Sequence, residues 1–366
     1  MSEQPTKPPG IKDIASALGI SIGTVDRALH GRSDVSANTR ARVLKEAEQL
    51  GYRPNMVARS LKLNRQFRVG VYLPRQIASF FDPLREGIRA AAAAYIGINV
   101  DLDFHSFPRL DEGELEELES AVGQNYDGLL LTPGDPGRID SVLRRIARQG
   151  TAIICVGNDA PRSGRLAAVS TDSYTSGAIA AEMLARTIQK SAAVATITGE
   201  LTIMDHAEKL RGFAATLAVL APHLSLLPVI ESHESPKEAY RQASALLSRK
   251  PRPAGLYIST ANSIPVLQAL DEHLLKDVQV ITTDLFPELI PLLESGKILA
   301  TLHQRPFVQG RTAFESLARY LVEGVQPEPV TKLAPHIVLR SNLPLFLSQM
   351  IEPEDSGSKD PTPPKR

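Results

Sequence analysis

Eight histidines and one cysteine are the residues of this 366-residue chain best suited to nucleophilic or metal chemistry. No histidines stand in the His-Glu-x-x-His spacing that puts two imidazoles on one helix face for zinc. Cys155 sits in the apolar run Ala152-Ile153-Ile154-Cys155-Val156, which reads as a buried strand thiol. A single cysteine also excludes an internal disulfide. Glycine-rich phosphate loops are absent. The expectation is a protein that is not an enzyme and carries no cofactor or metal.

Reversible binding is better served. Polar side chains stand directly after short apolar runs. Asp159 follows 152–156 within Gly157-Asn158-Asp159, Asn262 follows 254–258, and Asp284 closes 278–283 after Thr282-Thr283. Gln304 and Arg305 follow 298–302, and Phe80 and Phe81 follow 69–73. Carboxylates and amides discriminate well among hydroxyl-rich ligands, and an aromatic ring can stack on a sugar face. Arg305 beside Gln304 also suits a carboxylate or phosphate group.

These runs belong to a strand-helix alternation. Strands are predicted at 69–73, 99–105, 128–131, 152–156, 193–197, 254–258, 278–283 and 298–302. Helices fall at 83–95, 112–123, 137–149, 174–190, 205–220, 236–249, 262–274 and 307–322. Such alternation implies parallel sheets covered by helices, with ligands at the strand carboxyl ends. Nearly 270 residues of it fit two sheets better than one.

The amino-terminal part differs. Ile11, Ile14, Ala15 and Leu18 share one helical face, and Gly19 ends that helix. Ser21 can cap a second helix, Ile22 to Leu29, with Val25 and Leu29 facing inward. Ser36 can cap a third, to about Leu50, with Val43, Leu44, Ala47 and Leu50 as its inner stripe. A tight pair followed by a third helix is helix-turn-helix geometry. Residues 1–68 hold 12 Lys+Arg against 6 Asp+Glu, a net of +6, and the remainder 29 against 35, a net of −6. Only the head is suited to a polyanion. Arg27 can pair with guanine in the major groove, Ile22 can touch a thymine methyl, and Gly23 lets the helix approach closely.

The runs Ile11-Lys12-Asp13-Ile14-Ala15, Gly19-Ile20-Ser21, Thr24-Val25-Asp26-Arg27-Ala28-Leu29, Val35-Ser36, Thr39-Arg40, Arg42-Val43 and Leu50-Gly51-Tyr52-Arg53-Pro54-Asn55 resemble the headpiece of the lactose-repressor (LacI/GalR) family. Val57-Ala58-Arg59-Ser60-Leu61 is similar to its hinge helix. The resemblance implies a sequence-specific transcriptional regulator, most simply a repressor, controlled by a small sugar-like effector. An activator sensing another metabolite and a solute-binding protein without a regulatory role are the alternatives. The implied fold is an all-α helix-turn-helix headpiece followed by a two-lobed α/β domain like the periplasmic binding proteins. The implied DNA contacts are Ser21, Ile22, Gly23, Thr24, Asp26, Arg27, Asn38, Arg53, Asn55, Ala58, Arg59 and Leu61, with Leu61 a minor-groove wedge. Asp26 departs from the family's usual Ser. The implied effector contacts are Phe80, Phe81, Asp159, Lys209, Asn262, Asp284, Gln304 and Arg305. Lys209 stands where the family often has Arg, three before Gly212-Phe213, and Ser263 where Asp commonly follows the Asn. Lys lacks the bidentate fork.

The boundaries expected are a disordered start at 1–10, a headpiece at 11–54, a hinge and linker at 55–66, a two-lobed domain at 67–346 and a polar tail at 347–366. Lobe one takes 67–170 and 297–324, and lobe two 171–295 and 326–346. No run reaches membrane-span length and the start lacks a signal segment, so a cytoplasmic protein is expected, without membrane partners. The tail has no leucine heptad, and a homodimer on palindromic operator DNA is the simplest assembly.

Overall fold

The computed structural model describes residues 10–29, 35–50, 66–95, 99–275 and 277–351. It begins with α1 (Ile11–Leu18), α2 (Ile22–Leu29) and α3 (Ala37–Gln49). Gly19 ends α1 in the left-handed conformation at φ 64°, which glycine adopts without a Cβ penalty. Two helix starts use the same device. The Ser21 Oγ accepts from the Thr24 N–H and the Ser36 Oγ from the Thr39 N–H, each at 3.1 Å. Ile14, Ala15, Val25, Ala28, Val43 and Ala47 form the buried core of the three helices. The predicted stripe on α3 needs correction: Leu44 and Leu50 are 50% and 36% exposed. Val43 and Ala47, one turn apart, set the inward face. Leu44 lies 100° round the helix from Val43.

After residue 65 the elements alternate. They run β1 (Gln66–Pro74), α4 (Ala78–Ala94), β2 (Asn99–Phe107), α5 (Glu114–Ala121), β3 (Gly128–Leu131), α6 (Pro136–Arg148), β4 (Ala152–Val156) and β5 (Ala167–Thr171). There follow α7 (Ser173–Thr187), β6 (Ala192–Thr198), α8 (Met204–Leu220), β7 (Leu224–Leu226), β8 (Ile230–Glu231), α9 (Pro236–Ser248) and β9 (Pro253–Ile258). The chain continues through α10 (Ser263–Glu272), β10 (Gln279–Thr283), a 3₁₀ turn (Pro287–Leu289) and α11 (Ile290–Glu294). It closes with β11 (Ala300–His303), α12 (Pro306–Glu323), β12 (Val330–Leu333), β13 (His336–Val338) and α13 (Leu343–Ile351).

The chain divides into two compact units. One gathers Met1–Gln76, Pro83–Val169 and Phe307–Thr331, and the other Ile77–Asp82, Ser170–Pro306 and Lys332–Arg366. The first sheet has six strands in the order β12-β5-β4-β3-β1-β2. Its core on one face joins Leu118, Ala121, Ile139, Val142 and Ile146 of α5 and α6 to Leu129, Leu131, Ile153 and Cys155. The second sheet runs β13-β11-β10-β9-β6-β7, with β8 also pairing β6. Strand β11 is antiparallel to β13 but parallel to β10.

The strand predicted near 298–302 was assigned to lobe one. It lies in the second sheet, where Ala300 pairs with Ile281. An apolar strand carries no label for its sheet, so the expected return to lobe one at 297 is displaced to after Pro306. The helix predicted from Pro83 begins at Ala78 and contains that proline. Phe80 and Phe81 therefore sit on a helix rather than in a loop. They are buried and meet edge to face at 5.0 Å.

Each unit holds a helix crossing so close that backbones touch. A Cβ added at Gly177 of α7 would fall 1.9 Å from the Lys209 carbonyl oxygen, and one at Gly212 of α8 2.0 Å from that of Tyr174. In the first unit, Gly87 of α4 and Gly310 of α12 would likewise meet the carbonyls of Phe307 and Leu84 at 2.0 and 2.1 Å. Only glycine permits either crossing.

Candidate functional site

In the headpiece, α2 turns Val25 and Ala28 inward and leaves Ser21, Ile22 and Gly23 exposed, with Thr24, Asp26 and Arg27 half-buried. The Arg27 side chain runs back along the helix, since a Cβ at Gly23 would lie 3.7 Å from its guanidinium. Asn38 is exposed in the first turn of α3. Arg53, Asn55, Ala58, Arg59 and Leu61 lie outside the described residues.

The second unit collects polar groups at one end of its sheet. Helix α8 packs on the face carrying Tyr257, with Phe213 stacked on that ring at 5.4 Å. One turn earlier Lys209 is fully buried, 1% exposed. Its Nζ donates to Asp205 Oδ2 at 2.6 Å and to Gln304 Oε1 at 3.0 Å. The Gln304 Nε2 donates to Asp284 Oδ2 at 2.8 Å, and its backbone N–H reaches Asp284 Oδ1 at 3.3 Å. Ser173 donates to Asp205 Oδ1 at 2.6 Å. A carboxylate only accepts and an ammonium only donates, so these contacts fix which way the Gln304 amide points.

A second cluster uses the next residue of α8. His206 Nε2 lies 3.0 Å from Glu234 Oε1. Glu234 Oε2 accepts from Thr260 Oγ1 at 2.9 Å and from Asn262 Nδ2 at 3.0 Å. A side chain at Gly199 would put its Cβ 1.9 Å from Glu234 Oε1. The carboxylate thus occupies space that only glycine leaves open.

The electrostatics follow from burial and neighbours. Burial pushes the Asp284 carboxyl up to about 6 although Lys209 and the Gln304 hydrogen bonds pull it down. Burial also disfavours charge on Asp205, but the charges of Lys209 and His206 and the hydrogen bonds from Lys209 and Ser173 together outweigh it and hold that carboxyl below its usual range. Desolvation works against the Lys209 ammonium, and Asp205, Tyr257 and Asp284 together more than restore it, so its pKa is raised. Burial likewise opposes ionisation of Glu234, and the His206 contacts with the Thr260 bond bring it below its ordinary value.

Two further observations mark this end of the sheet. His233, Glu234, Asp284 and Arg305 adopt φ between 49° and 66°. For residues with a Cβ such geometry costs about 1–2 kcal/mol and concentrates at functional sites. The hydroxyls of Thr196, Thr198, Ser259 and Ser263 are buried without a hydrogen-bond partner among the described residues. Each costs about 1–3 kcal/mol until something satisfies it. By strand alternation Thr196, Thr198 and Ser259 share the Tyr257 face, because Thr196 pairs with Tyr257.

Of the expected effector contacts, Lys209, Asp284 and Gln304 form the first network and Asn262 joins the second. Arg305 joins neither network by a hydrogen bond. Its charge is felt by His303, which burial, His336 and then Arg305 depress to about 4. Asp159 belongs to the first unit, where its carboxylate forms a two-pronged ion pair with Arg165, one arm at 2.7 Å. Asp205, His206 and Glu234 were not anticipated. The four-residue spacing of Asp205 and Lys209 on one helix was a readable signal. Glu234 lies in an irregular turn and had none.

A helix-turn-helix headpiece and a buried polar network at the strand ends of an α/β sheet, on one chain, define a ligand-responsive DNA-binding protein. A model of the periplasmic binding protein domain matches residues 69–324, and a model of bacterial regulatory proteins of the lacI family matches residues 10–55. The HTH-type transcriptional repressor PurR of Aliivibrio fischeri (strain MJ11) is 26% identical over 346 residues, covering 91% of this chain and 98% of that protein. Catabolite control protein A of Priestia megaterium is 24% identical over 250 residues, 68% of this chain and 73% of that protein. GanP, a glucose-galactose binding protein from Geobacillus stearothermophilus, is 26% identical and covers 76% of this chain and all of its own, with a TM-score of 0.70. The chain belongs to the LacI/GalR family of bacterial transcriptional regulators. It is a DNA-binding regulator with a periplasmic-binding-protein-like domain, and members of this class are non-catalytic. No described helix is long and apolar enough to cross a membrane.

Proposed function

We propose that this chain is a cytoplasmic repressor that binds palindromic operator DNA as a homodimer and responds to a hydroxyl-rich, sugar-like effector held by the second unit. The observation that carries this reading is the Lys209–Gln304–Asp284 network at the strand carboxyl ends, on the same chain as the headpiece. Buried hydroxyls and amides reject ligands that leave them unpaired and so favour a polyol. The described similarity to a glucose-galactose binding protein supports the same class. In the headpiece, Ser21, Ile22, Gly23, Thr24, Asp26, Arg27 and Asn38 are the proposed contacts to DNA, joined by Arg53, Asn55, Ala58, Arg59 and Leu61. Lys209, Asn262, Asp284 and Gln304 are the proposed effector contacts, with Asp205 and Glu234 orienting them. Phe80, Phe81, Asp159 and Arg305 are not needed for this set.

Effector binding shifts a population between DNA-binding and released states only through different affinity for the two. The test is operator affinity of the full chain against effector concentration, with the operator isolated by sequencing bound genomic fragments. Release from the operator is the expected direction. A protein that binds a small molecule by calorimetry yet keeps the same operator affinity at saturation would refute the reading.

A further inference from the structure

The hydrogen-bond directions in the second unit restrict the effector more narrowly than a polyol, an argument that rests on the function proposed above. Asn262 turns its Nδ2 to Glu234 and to Thr260, 3.0 and 3.3 Å away. Its Oδ1 therefore faces away from Glu234, as an acceptor. Gln304 spends its Nε2 on Asp284 and its Oε1 on Lys209. Lys209 places two of its three protons on Asp205 and Gln304. What remains on offer is mainly acceptor capacity, on Asn262 Oδ1 and the carboxylates of Asp284 and Asp205.

The charge count points the same way. Three buried or nearly buried carboxylates, Asp205, Glu234 and Asp284, share this region with one ammonium, Lys209, and with His206. Within the two hydrogen-bonded networks carboxylates outnumber cations whether or not His206 carries a proton, and Arg305 at the same strand ends belongs to neither network. Asp205 has Lys209, and Glu234 has His206, Thr260 and Asn262. Asp284 is paired only with the neutral Gln304 amide and backbone. It is the buried acid without a cation in hydrogen-bond contact. On the Tyr257 face of the same sheet the hydroxyls of Thr196, Thr198 and Ser259, and on α8 the His206 Nδ1, are buried and unpartnered among the described residues.

We infer that the effector carries a protonated amine on a hydroxyl-rich frame, such as an amino sugar or an amino cyclitol, with its ammonium on Asp284. An ammonium brings donors alone to an acceptor-rich site and supplies the hydrogen-bonded cation that Asp284 lacks. The buried hydroxyls take the remaining polar groups of the ligand.

The test uses the full chain at about pH 7, where amines and most carboxylates are charged, and matched probes in calorimetry and thermal shift. The pairs are D-glucose with D-glucosamine, D-galactose with D-galactosamine, and myo-inositol with an inosamine. N-acetyl-D-glucosamine and N-acetyl-D-galactosamine serve as uncharged controls. The amine should bind at least about tenfold tighter than its neutral partner in one or more pairs, and N-acetylation should remove that advantage. Asp284→Asn should lower the amine-to-neutral ratio rather than both affinities alike. The acetylated controls decide the matter on wild-type protein even where that variant folds poorly. Neutral members binding as well as or better than amines in every pair would overturn the inference and leave the polyol reading standing. Failure of every probe to bind would overturn both.

Discussion

Lys209 and Asp205 form an ion pair of 2.6 Å across one turn of α8, with the lysine only 1% exposed. A buried ammonium of this kind stays charged because the carboxylate beside it offsets much of the cost of its burial. The pair also directs the lysine toward Gln304, and through it toward Asp284. Lysine here does not reproduce the two-pronged grip of arginine. It acts as a point charge that orders three neighbours.

Lys209→Met should destabilise the chain by about 3–5 kcal/mol, because it strands a buried carboxylate. Lys209→Met combined with Asp205→Asn should recover most of that loss. Urea titration of the four proteins in a double-mutant cycle measures it. Additive losses would show that the two residues do not depend on one another.

Asp284 gives a pH dependence with a defined sign. Its folded pKa of about 6 lies above the usual carboxylate value, so the native state binds its proton more tightly than the unfolded chain. Its contribution to stability is therefore most favourable below about pH 4 and falls as pH rises through about 6. The charged groups facing it are Lys209 and Asp205. Asp284→Asn removes the titration, so its stability relative to wild type should rise between about pH 4 and 7 by roughly 2–3 kcal/mol. A difference that stays flat across this range would contradict the assignment.

Gly177→Ala places a methyl 1.9 Å from the Lys209 carbonyl. Helices α7 and α8 must separate, at a cost of about 3 kcal/mol. The shift also moves Lys209, so effector binding should weaken more than in Gly123→Ala, whose added Cβ meets nothing within 4 Å. Gly123 itself has φ 85°, so that control carries backbone strain without a steric clash. Calorimetric titration of both variants separates the two effects.

Arg27→Ala should cost about 1–3 kcal/mol on the operator and less on random DNA if the guanidinium reads a base. Competition titrations at fixed salt on both DNAs provide the measurement. Equal losses would assign Arg27 to phosphate contact instead.

Much of the architecture was legible because local chemistry and long-range packing agreed. Ser21 and Ser36 were readable as caps, and both make the expected bonds. Strands β3 and β4 are buried at every residue and were read to the residue. Strands β5, β7, β8, β12 and β13 were missed: β7, β8 and β13 have at most three residues, β12 alternates exposed with half-buried residues, and β5, though buried throughout, spans the expected lobe boundary at 170–171. Within the candidate site, Asn262, Asp284 and Gln304 announced themselves by following apolar strands, and Lys209 by its place in a motif of the resembled family. Glu234 reaches Asn262 from an irregular turn at φ 49°, a contact across 28 residues that no periodicity encodes.

The paired glycine crossings have an evolutionary consequence. At Gly177 and Gly212, and again at Gly87 and Gly310, each glycine faces the carbonyl of the opposite helix. Enlarging either member alone produces a clash, and enlarging both doubles it. A replacement at any of the four forces its helices apart, while side chains on the outer faces of the same helices meet no such limit. Variation among descendants is therefore expected on those outer faces and at strand-end residues, with each helix pair kept as a fixed frame.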